Sequence, residues 1–291
     1  MSVSETNDPL TSPLIEMMGH CSGRERLLDH DNLEEFADAV NYDREDTSDT
    51  GVAFYSALAQ ETGGPILELA CGTGRVALPI AQLGFSVTGL DIVQGMLEQA
   101  RCKSNGYPVQ WVEGDARNFH LDAQFRLIFL TGNAFQAFIT NADQSALLHR
   151  VSSHLHDEGL FAFETRNPQL NSDFKQGEGH FFTLESRAEE NVGEPLINVD
   201  GNEVFISRSQ LYDPLAQVLH VTTHKRWHTG GEERTLTTRI ALRFTFPQEL
   251  AALLDYHGFV LIRQFGDWNG EPLAATSPSI ICVCQKRIVS E

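Results

Sequence analysis

The sequence is short of cationic side chains: 21 Lys and Arg stand against 40 Asp and Glu in 291 residues, a formal net charge of -19 at pH 7. A surface of that sign repels phosphate backbones and anionic lipid heads, so nucleic acid and membrane are not expected as partners. Plain solubility and a positively charged ligand both remain open as reasons for the acidity. Cysteine is also sparse. Cys21, Cys71, Cys102, Cys282 and Cys284 are odd in number, form no Cys-x-x-Cys pair and have no histidine at ligand spacing, so neither a disulfide framework nor a metal site is expected. No apolar run approaches the ~18–20 residues that span a bilayer, and MSVSETNDPLTSPL lacks the basic and apolar regions of a signal peptide, so a cytoplasmic location is the expectation.

What is present is a composition of 41% hydrophobic and 21% charged residues, enough for a packed core. The length suits one nucleotide-type core with an elaboration. Residues 1–32 carry no sustained periodicity and read as a flexible arm. NLEEFADAVNY and GVAFYSALAQ have apolar residues three and four apart and predict two short helices. From Ile66 onward the pattern alternates: strand (Ile66 to Ala70), helix (RVALPIAQLG), strand (Phe85 to Leu90), helix (VQGMLEQARCK), strand (VQWVEGD), strand (Phe125 to Gly132), helix (DQSALLHRVSSHL), strand (Gly159 to Thr165). This predicts an α/β fold with a Rossmann-like, doubly wound, mostly parallel seven-stranded sheet. EVFISRSQLY, AQVLHVTTHKRW and ERTLTTRIALRFTF then alternate in polarity and are rich in Val, Ile and Thr, which predicts an antiparallel β insertion after the fifth strand. PQELAALLDYHG is a helix with proline at its first position, and FVLIRQFG and SIICVCQKRI close the core. The expected division is an arm (1–32), a core (33–170), a lid-like insertion (171–246) and a closing segment (247–291).

The stretch ILELACGTGRVALPIAQLGFSVTGLD concentrates the chemistry. A dinucleotide fingerprint needs G-x-G-x-x-G, whereas the aligned residues are Ala70, Gly72 and Arg75, and no Gly-Lys-Ser/Thr follows as a phosphate loop requires. What stands instead is Glu68, Ala70, Gly72 and Gly74, with Asp91 and Asp115 at the next two strand ends. A carboxylate at Asp91 suits a ribose diol, and a bare backbone turn lets a ligand approach closely.

These residues resemble the S-adenosylmethionine site of class I methyltransferases, closest to the small-molecule, glycine-N-methyltransferase-like branch. GFSVTGLDIVQGMLEQA resembles its ribose-binding segment, FRLIFLTGNAFQAF its fourth-strand motif, FAFETRNP its fifth-strand end and GDWNGEPLAATSPSIICVCQK its closing hairpin. The resemblance implies S-adenosylmethionine as cofactor, with S-adenosylhomocysteine as product. It implies that Asp91 accepts from the ribose hydroxyls, that Asp115 and the backbone of Ala116 contact adenine, and that Gly72 and the backbone of Ala70 and Leu130 receive the methionine portion. Glu68 is expected to organise the turn. Asn133 would sit beside the methyl, or cap the following helix; Arg166 would meet a substrate carboxylate, or form a surface ion pair; Tyr42 would line the cavity, or pack in a helix. Ala70 replaces the first glycine of the motif, as in the glycine-methylating branch, whereas Pro168 stands where that branch has tyrosine.

Tyr212, His224 and Arg239 on the insertion, and Trp268 in GDWNGEP, are candidates to reach a substrate if the insertion folds over the site. His20, His180, His228 and His257 have no partner at revealing spacing. The expected activity is methyl transfer to a small molecule, at an amine nitrogen first, with O-methylation or cofactor binding without catalysis as alternatives. The state of assembly is open, homo-oligomer included.

Overall fold

The strands and helices from Ile66 to Arg166 build the expected sheet. The structure is a computed structural model that describes residues 31–45, 48–168 and 186–287. The expected arm, apart from Asp31 and Asn32, lies outside these residues, as do Cys21, His20 and His180. Strands β1 (Ile66–Leu69), β2 (Val87–Asp91), β3 (Val109–Glu113), β4 (Phe125–Leu130) and β5 (Leu155–Arg166) pair in parallel. β11 (Phe259–Phe265) and β12 (Ser279–Lys286) join antiparallel at the β5 edge, giving the order β11-β12-β5-β4-β1-β2-β3.

Alternation along the strands divides the core between two faces. Leu67, Leu69, Phe161 and Phe163 pack with Leu147, Leu148 and Val151 of α5 (Asn141–His154) and with Leu250 and Leu254 of α6 (Pro247–Tyr256). Ile66, Val87, Leu127 and Phe129 pack with Tyr55, Leu58 and Ala59 of α2 (Val52–Thr62) and with Ala77, Ile80 and Ala81 of α3 (Ala77–Gln82). The start of α5 is set by a capping box, in which Thr140 Oγ1 accepts from the Asp143 amide at 3.0 Å and Asp143 Oδ2 accepts from the Thr140 amide at 3.1 Å. α4 (Gln94–Lys103) connects β2 to β3.

In chain order between β5 and α6 lies an antiparallel sheet, β10-β9-β8-β6, built from β6 (Arg187–Asn191), β8 (Glu203–Asp213), β9 (Val218–Thr229) and β10 (Glu232–Arg243); the short β7 (Leu196–Ile197) pairs with β8. Directly opposed residues share a face, so Tyr212, Leu219 and Leu242 line one side together with Val221 and Ile240, and Phe36 packs against it. The first predicted helix is broken. Asn32 has φ +64°, Glu34–Phe36 form one 3-10 turn, and α1 (Ala39–Glu45) begins afresh beyond Asp38, whose carboxylate accepts from the Asn41 amide at 3.2 Å. The broken piece ties the second sheet's open edge. Glu34 Oε2 accepts the Arg239 amide at 2.9 Å, and Asn32 exchanges hydrogen bonds with the backbone of Ala241 at 2.7 and 3.2 Å.

Among the described residues no helix is long and apolar enough to cross a membrane, and no group of three or more His, Cys, Asp or Glu is arranged to hold a metal ion.

Candidate functional site

The turn between β1 and α3 is held by its own backbone and by two carboxylates, Asp91 and Asp43. Ala70, Gly72 and Gly74 take positive φ of +52°, +53° and +81°. Asp91, at the end of β2, accepts the Gly72 amide at 2.7 Å through Oδ2 and the Val93 amide at 2.8 Å through Oδ1. Burial raises its pKa, and the amides oppose that shift. A methyl group placed on Gly72 would meet nothing within 4 Å, so that side of the turn is open. Gly74 differs. Its Cβ would stand 2.5 Å from Cη2 of Trp111, so the second glycine is required by packing as well as by its φ.

Glu68 does not organise the turn by hydrogen bonding. It is fully buried on β1 and both carboxyl oxygens lack a hydrogen-bond partner. Burial pushes its pKa up to about 8 against the opposing field of Arg75 and the nearby Ala77 amide, with Asp91 and Glu164 adding to the rise. Burial therefore favours its neutral form.

Behind the turn is a hydrogen-bonded cluster that the sequence reading did not single out. The Tyr55 hydroxyl of α2 lies 2.8 Å from the Leu130 carbonyl and 2.5 Å from Glu164 Oε2 on β5. One hydroxyl proton serves only one of them. Burial raises the pKa of Glu164, against the lowering effect of the Tyr55 hydroxyl and of the Asn133 and Gly132 amides. Glu164 Oε1 accepts the Asn133 amide at 3.0 Å and faces the Thr131 hydroxyl at 3.4 Å. Asn133 is held at φ +58° and its side chain does not cap the 3-10 helix Ala134–Ala137 that follows, which removes the capping alternative. Its Oδ1 is buried without a hydrogen-bond donor.

Asp115 follows β3 beside Asp91, whose carbonyl accepts the Gly114 amide at 2.9 Å. Its carboxylate is gripped by Arg117 at 3.0 Å (Nε to Oδ1) and 2.7 Å (Nη2 to Oδ2), and Arg117 reaches on to Asp143 at 2.8 Å. Burial alone would raise the Asp115 pKa, but Arg117 outweighs it and holds the group below the usual range. Ala116 is buried next to it.

Arg166, at the end of β5, is no surface ion pair. Its Nη1 donates to Gln136 Oε1 at 2.7 Å, and burial lowers its pKa to about 10 while Glu164 and Glu35 hold the charge in place. Arg208 of β8 lies close enough to oppose that charge and donates to Thr223 at 3.3 Å; Thr223 donates in turn to Glu35 at 3.0 Å. Arg166 therefore meets the face of the second sheet that carries Arg208 and Tyr212. Tyr212 is half-buried against that face.

His224 and Arg239 lie on the reverse face, by their pairing with Ser207 and Thr222. His224 Nδ1 bonds to Thr237 at 2.9 Å and Arg239 Nη2 donates to Glu34 at 2.5 Å. Neither is brought to the strand ends. Trp268 packs on Phe54 and Tyr55 at ring separations of 5.6 and 5.9 Å, covering the buried tyrosine from outside. Tyr42 stands edge-on to Phe36 on α1. Its neighbour Asp43 accepts from Thr73 in the glycine turn at 2.5 Å and from Lys103 at 2.8 Å, which ties α1 to the turn.

Glu68, Ala70, Gly72, Asp91, Leu130, Asn133 and Asp115 thus converge at the carboxyl ends of adjacent strands, where ligands of such sheets bind. Residues 66–159 match the methyltransferase domain family. Over that stretch the chain carries a methyltransferase domain, and the proteins it resembles are methyltransferases, S-adenosylmethionine-dependent ones among them. It is 26% identical over 226 residues to YqeM of Bacillus subtilis (strain 168), whose name assigns it to the methyltransferases, covering 77% of this chain and 84% of that protein. It is 24% identical over 243 residues to the cypemycin N-terminal methyltransferase of a Streptomyces species, covering 81% and 89%. An S-adenosylmethionine-dependent methyltransferase from Clostridium acetobutylicum ATCC 824 shares its fold at a TM-score of 0.70 and 17% identity, over 85% of this chain and 96% of that one. Likeness to the glycine-methylating branch is weaker. A glycine/sarcosine N-methyltransferase of Aphanothece halophytica matches at 24% over 52% of this chain and 58% of its own length.

The residues present fit the methyltransferase cofactor. The turn is open at Gly72, Asp91 presents a carboxylate beside it, and Glu68 and Asn133 each bury a polar atom that has no partner within the protein.

Proposed function

We propose that the protein methylates an amine nitrogen of a small molecule. The observation that carries this reading is Asn133 Oδ1, a buried acceptor lacking a donor, held in a fixed direction by the Glu164 bond to its own amide. An acceptor placed there orients an N–H of a neutral amine, which needs no base of its own. A hydroxyl would need one, and the available groups are unsuited: Tyr55 is raised well above its usual pKa, while His154, His224 and His257 are bonded to Arg150, Thr237 and Ser145. The Streptomyces relative, named for action at an N terminus, is in keeping with an amine.

In this reading the cofactor supplies a methyl group already activated by the sulfonium. Asp91 accepts from the ribose hydroxyls, and Asp115 with the Ala116 backbone meets the adenine edge. Gly72 and the backbone of Ala70 and Leu130 receive the methionine portion, with Glu68 and Gly74 supporting the turn. Asn133 aligns the nucleophile, and Tyr42 lines the cavity between turn and second sheet. Arg166 binds an anionic end of the substrate, with Tyr212 and Trp268 as walls; His224 and Arg239 have no part in it. The second sheet, Arg187 to Arg243 within the expected insertion of 171–246, acts as the lid that excludes water, and the segments expected as core, 33–170 and 247–291, carry the catalysis. Alignment of nucleophile, methyl and sulfur supplies up to ~7–11 kcal/mol of barrier reduction. The small-molecule substrate is the partner proposed, in a cytoplasmic setting.

Calorimetric titration with S-adenosylhomocysteine is expected to give about one site per chain, and a panel of amines, carboxylic acids and phenols offered with S-adenosylmethionine is expected to yield methylated amines. Methylation of phenols alone would overturn the amine assignment. Binding without turnover against the whole panel would make the protein a cofactor-binding module.

A further inference from the structure

Three carboxyl groups surround the cofactor seat, and they differ in what the protein gives them. Asp91 accepts two backbone amides, and Glu164 has the Asn133 amide, Thr131 and Tyr55. Glu68, fully buried, has no well-formed hydrogen bond to either oxygen and only the Ala77 amide nearby. A buried carboxyl so poorly supplied with donors favours its neutral form until a further cation arrives. The groups that face it are Arg75 and Cys71 from the turn, Asp91 from β2, Glu164 from β5 and Tyr55 from α2; only Arg75 is cationic, and it also donates to the Ser48 and Thr50 carbonyls at 3.1 and 2.8 Å.

S-adenosylmethionine brings a sulfonium and an ammonium against one carboxylate, whereas S-adenosylhomocysteine has lost the sulfonium charge. We propose that Glu68 distinguishes cofactor from product by charge: protonated in the free protein, it releases its proton to solvent when the sulfonium binds and takes one back once the sulfur has become neutral. The inference rests on the cofactor seat proposed above. It makes Glu68 a specificity-determining residue whose anion is stabilised only while the methyl is still on the sulfur, so that transfer itself weakens the hold on the product. Asp91 faces both ligands alike, so its own titration cancels in their ratio.

The test is calorimetry of the full chain at pH 7 in two buffers of different ionisation enthalpy, phosphate and Tris, with each ligand in turn. S-adenosylmethionine is expected to release up to about one proton and S-adenosylhomocysteine clearly less, and the affinity ratio of the two is expected to change by up to about tenfold per pH unit below pH 8, in favour of S-adenosylmethionine as pH rises. Glu68→Gln is expected to abolish the difference in proton release and flatten the ratio, whereas Glu164→Gln keeps both. Equal proton release by the two wild-type complexes overturns the inference and leaves the cofactor seat intact. Loss of the difference in Glu164→Gln but not in Glu68→Gln assigns the proton elsewhere and also overturns it. Failure of either ligand to bind overturns the seat itself.

Discussion

Replacing Gly74 with alanine separates two reasons for a glycine in the turn. Its φ of +81° costs an L-residue ~1–2 kcal/mol. The new Cβ would also stand 2.5 Å from Trp111 Cη2, and that ring has little room to retreat. On its other side a Cβ at Gly89 would be 2.5 Å away, and its Nε1 donates to Ser104 Oγ at 2.9 Å. Overpacking of this kind costs ~1–3 kcal/mol, so Gly74→Ala is expected to lose ~2–5 kcal/mol, or roughly 5–15 °C in Tm for a domain of this size. Gly72→Ala meets open space at φ +53° and is expected to lose only the backbone share, ~1–2 kcal/mol, while weakening cofactor binding more strongly. Urea unfolding of both variants, and of Gly74→Ala combined with Trp111→Leu, provides the measurement. The double variant should recover the packing share relative to Trp111→Leu alone, a coupling that a mutant cycle isolates. Equal destabilisation by Gly72→Ala and Gly74→Ala, or no coupling to Trp111, would refute the packing argument.

Other expectations follow from the buried polar groups. Tyr55→Phe leaves the Leu130 carbonyl and Glu164 each short of a partner and should cost ~1–3 kcal/mol in chemical denaturation, together with weaker S-adenosylhomocysteine binding. Arg243→Met removes hydrogen bonds to Ile139, Asn141 and Glu249 and should lower stability by ~2–3 kcal/mol; a neutral result would mean these bonds give nothing net. Asp115 and Asp143 have folded pKa values held below 3.8, so their contribution is present above that pH and is lost as pH falls through the folded values. Arg117→Ala should therefore move the acid-unfolding midpoint upward, followed by circular dichroism. Glu68 has the opposite sign. Its folded pKa is raised from 4.5 to about 8, so the ligand-free protein should lose stability as pH rises across that window, by up to ~1.4 kcal/mol per unit, and Glu68→Gln should flatten the slope.

The period of the apolar residues was enough to read the seven-stranded sheet, because β1 and β2 are buried throughout, β4 and β5 carry long buried runs, and β3, at the sheet's edge, still alternates over Val109 to Trp111. The acids at strand ends were readable for the same reason: Asp91 and Asp115 sit where their strands stop. Tyr55 was not, since its partners are 75 and 109 residues away and its helix shows only an apolar residue at a core position. Glu164 hides in FAFET as one more strand residue. The faces taken by His224 and Arg239 depend on strand register, which alternation alone leaves open by one residue. NLEEFADAVNY looked continuous because periodicity does not register a left-handed Asn32 or side chains turned toward a strand edge.

Gln136, wholly buried after β4, accepts from Arg166 at 2.7 Å and donates to the Arg243 carbonyl at 3.2 Å. Those two residues are the last of β5 and the last of β10, where the chain leaves the core and where it returns. One amide thus closes a circuit of more than seventy residues at its neck. With the neck fixed, the closure entropy of the excursion changes only slowly with its length. The strands beyond it can be lengthened, shortened or exchanged with little demand on the sheet beneath, provided an arginine side chain at the exit and a backbone carbonyl at the return still meet that glutamine.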